Sequence, residues 1–301
     1  MKRDSIMKNP SMKTRDQIIS YLLILPAFVL VFVLLLIPMF QNIYYSFFEW
    51  DGLKPPLFIG LRNYLSIFTD NNFIVSLRNT LIWVGFTLVF PVMGGLLIAI
   101  FIKGIVFENF FKSIFFIPMT ISFVATGIIW NYMFSREMGV INNFLPLIGI
   151  HKKISWLTEV PLNTFALLIG WTWQQLGINM VLFLMGLVTI PKDQTEAAMI
   201  DGANKWKLFI HVTFPMLRPI TTIVITMAMV NSFKAFDIIF VMTRGGPART
   251  SETLAVTMFR ETFTLSRMGY GAAISVILSI IVITVSAVYI KRMTRKDLLY
   301  Y

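Results

Sequence analysis

Two stretches of this otherwise apolar chain hold side chains whose type and spacing could do chemistry. The run Asn231-Ser232-Phe233-Lys234-Ala235-Phe236-Asp237 sets an amide, an ammonium and a carboxylate three residues apart. On a helix that spacing brings them to one face and lets Lys234 and Asp237 pair. Either ion alone in hydrocarbon costs roughly 3 kcal/mol, so the two are expected to face the helix bundle or water. Path lining and structural pairing are both open for them. The second stretch is Trp171, Trp173, Gln174, Gln175 and Asn179, in which Gln175 and Asn179 share a face one turn from Trp171 and Gln174. Amides in hydrocarbon must bond to neighbouring helices or line a wet cavity. A sugar could use such a surface, with hydroxyls on the amides and ring faces on the indoles; helix packing is the competing reading.

Catalytic chemistry finds no foothold. GxxxxGK[ST], GxSxG and HExxH do not occur, cysteine is absent and histidine occurs twice. His151 beside Lys152 and Lys153 lacks the convergent donors that a metal needs. Asp237 is one carboxylate, and a carboxylate hydrolase needs two. No catalytic residue, metal site or cofactor is therefore expected in this chain, and no ATP binding by the chain itself.

The elements that must position these residues are membrane spans. The 301 residues are 56% hydrophobic and 14% charged, with mean hydropathy +0.74, which is too apolar for a soluble domain. Six segments reach the roughly 20 residues that cross a bilayer: Ile18 to Phe40, Thr80 to Ile102, Ile114 to Phe134, Thr164 to Ile190, Ile220 to Met242 and Ala272 to Ile290. The first is too long for a signal-peptide core and lacks a small-residue cleavage site, so it counts as a helix. With no ionisable group and with Pro26 and Pro38, it is expected to face lipid. Gly94 and Gly95 in the second predict close helix packing. The third carries Ser122 four residues after Pro118, and because a serine can return a hydrogen bond to the backbone it is expected to bend the helix less there than a proline would.

Six spans place both termini on one side. That side holds five Lys and Arg in the tail 1–17, two after span 2, four in the loop 191–219 and four in the tail 291–301; the opposite loops hold three, three and four. The more basic side is cytoplasmic, which accounts for the net charge of +11 without nucleic acid. The domain plan is thus a tail over 1–17, a six-helix domain over 18–290 containing the loop 191–219, and a tail over 291–301. Membrane lipid is an expected partner.

The loop from Pro191 to Pro219 is a polar island between two apolar runs. Asp193 and Glu196 have capping-box spacing, which predicts a first helix. Gly202 suits the turn that ends it, and Asn204 can cap a second helix carrying Trp206, Phe209 and Ile210 on one side. Pro215 is expected to stop that second helix. The product is a handle that a partner could grip.

Here the chain resembles a known family. Glu196-Ala197-Ala198, then Gly202, then an apolar segment closing on Pro215 is similar to the signature loop of the membrane subunits of ATP-binding-cassette importers. Asp201-Gly202-Ala203, Trp206, Phe209 and the Pro215/Pro219 pair resemble its carbohydrate branch, the maltose and glycerol-phosphate type. FFKSIFFIPMTISFVATGIIWNYMF from Phe110, the Asp237 to Thr243 run with Gly245-Gly246-Pro247, and Arg267 to Gly271 extend the likeness over most of the chain. The resemblance implies an all-α type I permease with a five-helix core and one added N-terminal helix. It implies a second permease subunit, two ATPase subunits holding ATP and Mg, and an extracellular or periplasmic sugar-binding protein delivering a di- or oligosaccharide. Glu196 would meet a basic residue of the ATPase, the Gly245-Gly246-Pro247 segment would belong to an outer gate, and the mechanism would be alternating access. The competing class is a secondary transporter or channel energised through Lys234 and Asp237.

Overall fold

The computed structural model of the chain describes residues 10–297, with side chains at 17 and 19–293. Parts of the expected tails 1–17 and 291–301 lie outside the described residues. Within them the end helices reach further than hydropathy suggests, beginning at Pro10 and running on to Asp297.

Helix α1 (Pro10–Val31) runs through a π-turn at Phe32–Leu36 into α2 (Ile37–Tyr45). A short antiparallel pair, β1 (Phe48–Glu49) and β2 (Leu57–Phe58), and α3 (Arg62–Ile67) follow. Asn63 ties them together, donating to the carbonyls of Ser46 and Phe48 at 2.9 Å each. Next come α4 (Asn71–Ile102), α5 (Glu108–Thr120), α6 (Phe123–Met133), α7 (Val140–Phe144) and α8 (Leu162–Val188). The handle holds α9 (Lys192–Ile200), α10 (Lys205–Leu208), a π-turn at Phe209–Thr213 and α11 (Phe214–Met216). The chain ends with α12 (Arg218–Phe233), α13 (Asp237–Met242), α14 (Leu254–Phe259) and α15 (Met268–Asp297).

Five helices or helix pairs are long and apolar enough to cross a membrane, and the bent pair α5–α6 makes a sixth. The chain is a multi-pass membrane protein. Its first span, Ile19–Tyr45, buries none of its apolar window against the rest of the chain, as its composition leads one to expect. Helix α4 begins nine residues before the apolar run that announces it, because Asp70 caps it through the amide of Asn72 at 2.9 Å.

Three apolar clusters hold the bundle. Trp83, Leu167, Trp171 and Ile238 join α4, α8 and α13; Val92, Met180, Phe183 and Val224 join α4, α8 and α12; Phe73, Phe233, Leu254 and Ile274 join α4, α12, α14 and α15. In lipid, tight packing rather than water exclusion supplies such contacts. A Cβ on Gly95 would sit 2.5 Å from the Asn179 Cβ, so α4 and α8 touch at backbone distance there.

Two spans depart from the expected form. The third breaks at Ile121–Ser122 with a bend of 102°, so Ser122 does not lessen the bend as expected. The serine starts a new helix instead of returning a bond to the old one: its Oγ accepts from the Ala125 amide at 3.2 Å. The Ile121 carbonyl left free at the break is taken by Gln174 Nε2. The fifth span breaks at Lys234–Phe236, between α12 and α13, and there the freed Ala235 carbonyl accepts from Thr253 Oγ1 at 2.8 Å.

Candidate functional site

The handle projects from one end of the bundle. Helix α9 starts at Lys192 with Pro191 as N-cap, in extended conformation and without a side-chain bond, so the expected Asp193 cap is not formed. Proline fixes its own φ and sets the boundary one residue pair early, which leaves Asp193 in the first turn to complement the helix dipole. Gly202 takes φ +80° and the Ala203 amide bonds back to the Ala198 carbonyl at 2.9 Å, which closes the helix as expected. Asn204 caps α10 by accepting from the Lys207 amide at 2.8 Å. Pro215 does not stop the second helix. The π-turn at Phe209–Thr213 widens the helix before it, and the path continues through Met216 to Leu217.

Glu196, Ala197, Asp201 and Gly202 are exposed on this handle, and Ala198 and Ala203 are half-buried. Ile200 is 86% exposed, Met199 55% and Trp206 68%, a set of apolar side chains that this chain leaves uncovered. Trp206 packs on Phe209, and Phe209 on Phe214, with ring centroids 6.2 Å and 5.9 Å apart.

The polar residues of the spans separate into two groups. Trp171, Gln174, Gln175 and Asn179 are all buried inside this chain, with Trp171 Nε1, Gln174 Oε1 and Asn179 Nδ2 bonded to no protein group. Trp171 stacks on Phe123 at 4.7 Å and meets Trp83 edge-on at 5.3 Å; Gln174 holds the Ile121 carbonyl; Asn179 lies against Gly95. Of the four, Gln174 satisfies the broken helix, and Trp171 and Asn179 pack against neighbouring helices. Trp173 alone of the set stays half-buried, 6.0 Å from Trp130.

Asn231, Lys234 and Asp237 are exposed, while Ser232, Phe233, Ala235, Ile238 and Ile239 between and beside them are buried. They form a polar strip along the outside of the chain, running across the break in the span. No ion pair joins Lys234 to Asp237 among the described residues, so the expected pairing is corrected. The i,i+3 geometry needs a continuous helix, and Lys234 ends α12 while Asp237 begins α13.

At the opposite end from the handle, the Gly245-Gly246-Pro247 turn is clamped. Gly246 accepts from Asn163 Nδ2 at 3.0 Å and from Ser251 Oγ at 2.8 Å. Behind it lie two almost fully buried carboxylates that the sequence reading passed over. Glu252 accepts from Arg249 Nε at 2.9 Å, Arg260 Nε at 2.5 Å and Thr257 Oγ1 at 2.8 Å. Glu261 accepts from Arg249 Nη1 at 3.1 Å and Arg267 Nη1 at 3.0 Å. Burial opposes the charge on Arg249, and Glu252 and Glu261 outweigh it, so the guanidinium is held above its ordinary value. Two acids set among four arginines in one polar loop are the signal that could have revealed the clamp.

A bundle with two broken spans, an outward polar strip on one of them and a protruding partner-shaped handle has the build of a membrane transport subunit. The chain belongs to the family described as the binding-protein-dependent transport system inner membrane component, whose model matches residues 91–297. It is 36% identical, over 89% of its length and 93% of the other's, to a probable ABC transporter permease of Pyrococcus horikoshii. It is 35% identical, over 78% of its length and 75% of the other's, to the arabinooligosaccharides transport system permease AraP of Bacillus subtilis. A solved bacterial ABC transporter involved in import of the acidic polysaccharide alginate contains a chain with the same fold, at TM-score 0.83 and 21% identity, covering 94% of this chain and 96% of that one. The architecture is thus the type I ABC importer permease, and the chain is a transport subunit rather than an enzyme.

Proposed function

We propose that this chain forms half of the translocation pathway of an ATP-driven carbohydrate importer in a bacterial or archaeal cytoplasmic membrane. The observation that carries the reading is the handle, a bonded pair of short helices that leaves Met199, Ile200 and Trp206 uncovered beside an exposed Glu196. Side chains of that kind cluster where a partner buries them. The partner is a separate ATPase subunit, present in two copies and holding ATP and Mg, with Glu196 meeting a basic residue on it. The handle and both termini then lie on the cytoplasmic side, as the excess of Lys and Arg there requires.

A second permease completes the pathway. Asn231, Lys234 and Asp237 face it across a wet cleft, which accounts for two exposed ions in the middle of a span. Trp173 offers an aromatic face toward the same path. ATP-driven closure of the ATPases draws the two handles together, and the rigid helices convert that movement into an outward-facing cavity; hydrolysis resets it. The Gly245-Gly246-Pro247 turn stands at the outer mouth, where an extracellular or periplasmic binding protein delivers the solute. A di- or oligosaccharide is favoured, since the aligned AraP serves arabinooligosaccharides.

Affinity purification of the tagged chain from native membranes, wild type against Gly202→Trp, tests the reading. An ATPase and a second permease should copurify with the wild type, and the substitution should release the ATPase alone. A chain recovered by itself in both cases overturns the proposal.

A further inference from the structure

A groove of about 1000 Å³ opens between α5 and α8 at the handle end of the bundle. Its walls are apolar: Phe116 and Ile117 on one side, Val181, Leu184, Met185 and Val188 on the other. Its rim is ionic, formed by Lys103, Glu108 and Lys112. Lys103 Nζ donates to the Leu187 carbonyl at 2.7 Å, which uses one of its three donors and leaves two directed elsewhere. Lys112 pairs with Glu108, which also accepts from the Gly104 amide at 2.8 Å.

The connector beside this rim identifies the medium. Val106 is 94% exposed, Phe107 68% and Phe110 62%, all within one short turn of Lys103 and Lys112. Contiguous large apolar side chains at that exposure suit the hydrocarbon edge of a bilayer, and lysines next to them sit at headgroup depth. The groove therefore grades from two cations at the interface to a greasy slot running toward the membrane centre.

We propose that this groove is a binding site for a glycerophospholipid of the bilayer. The phosphate is held by Lys103 and Lys112, and an acyl chain lies against Phe116, Leu184 and Met185. Two lysines against one glutamate give the rim an excess positive charge, so an anionic headgroup is preferred. Because Lys103 is bonded to Leu187, at the end of the helix that leads into the handle, the lipid braces the point where handle and bundle meet. The inference needs only a membrane location and stands apart from the identity of the solute or the ATPase.

The test is native mass spectrometry of the purified full complex, delipidated and then titrated with 1-palmitoyl-2-oleoyl phosphatidylglycerol. One phospholipid should bind per copy of this chain and be retained in the gas phase. Met185→Trp, which fills the slot from an exposed wall position, should lower retention about tenfold with the subunits still assembled. Lys112→Ala should lower retention of phosphatidylglycerol roughly fivefold, the worth of one cation against an anionic lipid, and leave retention of diacylglycerol unchanged. Val188→Phe gives a second filling variant should Met185→Trp disturb assembly. Equal retention by wild type and both filling variants overturns the site. So does a photocrosslinker at position 185 that captures the second permease rather than lipid, since the groove is then a subunit contact.

Discussion

The turns at Gly245 and Gly202 share a backbone conformation, φ +81° and +80°, and little else. A Cβ on Gly245 would lie 2.3 Å from the Glu252 Cγ, inside a loop whose two carboxylates are bonded to Arg249, Arg260 and Arg267. A Cβ on Gly202 would meet nothing within 4 Å. One region has its polar groups satisfied within the chain, and the other is ordered locally while its apolar side chains stay bare. The difference separates a part that must keep its shape unaided from a part whose shape is completed by another molecule. Substitutions should therefore report through different measurements in the two places.

The largest effect is expected at the clamp. Glu252→Gln leaves Arg260 and Arg249 facing a neutral amide in a buried site, and breaking a buried ion network costs about 3–5 kcal/mol. Thermal unfolding of the purified complex should show it as a lower midpoint, together with faster proteolysis within residues 244–267. Glu196→Gln on the exposed handle should stay within about 0.5 kcal/mol of wild type by the same measurement and reduce solute-stimulated ATP hydrolysis instead. If the two variants unfold alike, the contrast between the regions fails.

Alanine at the two glycines sharpens the comparison at constant backbone strain. Left-handed φ costs a non-glycine residue about 1–2 kcal/mol at either position. Only at Gly245 must the new methyl also displace the buried Glu252, so Gly245→Ala should exceed Gly202→Ala in destabilisation by about 1–3 kcal/mol. Equal losses in chemical denaturation would mean that Glu252 yields without strain and that the clamp is softer than its bonds suggest.

What could be read from sequence divides along a similar line. Gly202 and Asn204 announce a turn and a cap through chemistry that is complete within a few residues, and the number of spans follows from hydropathy. The breaks at Ser122 and Lys234 were missed because what makes them tolerable is remote. The Ile121 carbonyl is satisfied by Gln174 and the Ala235 carbonyl by Thr253, neither of which is a neighbour in the chain. A helix in lipid can end only where something else takes its open carbonyls, and periodicity carries no record of that. The same remoteness hid the contact that Gln174 makes with the broken third span and the close approach of Asn179 to Gly95. Asn231, Lys234 and Asp237 stand out by type in an apolar span, while their placement on the outside of the chain follows from a break that the pattern does not announce.

The smallest effect concerns the cap at Asn204. Asn204→Ala removes the acceptor for the Lys207 amide, a loss of about 1 kcal/mol to the short helix it starts. Global unfolding should hardly register it, because the handle contributes little to the bundle's core. Hydrogen exchange should, with the amides around Lys207 opening roughly fivefold faster in the isolated chain. In the assembled importer a partner seated on Trp206 and Ile200 would hold the same residues from outside, and the acceleration should shrink. An identical acceleration in both states would mean that the handle keeps its shape by its own bonds alone, which would put it in the same class as the clamp at the other end.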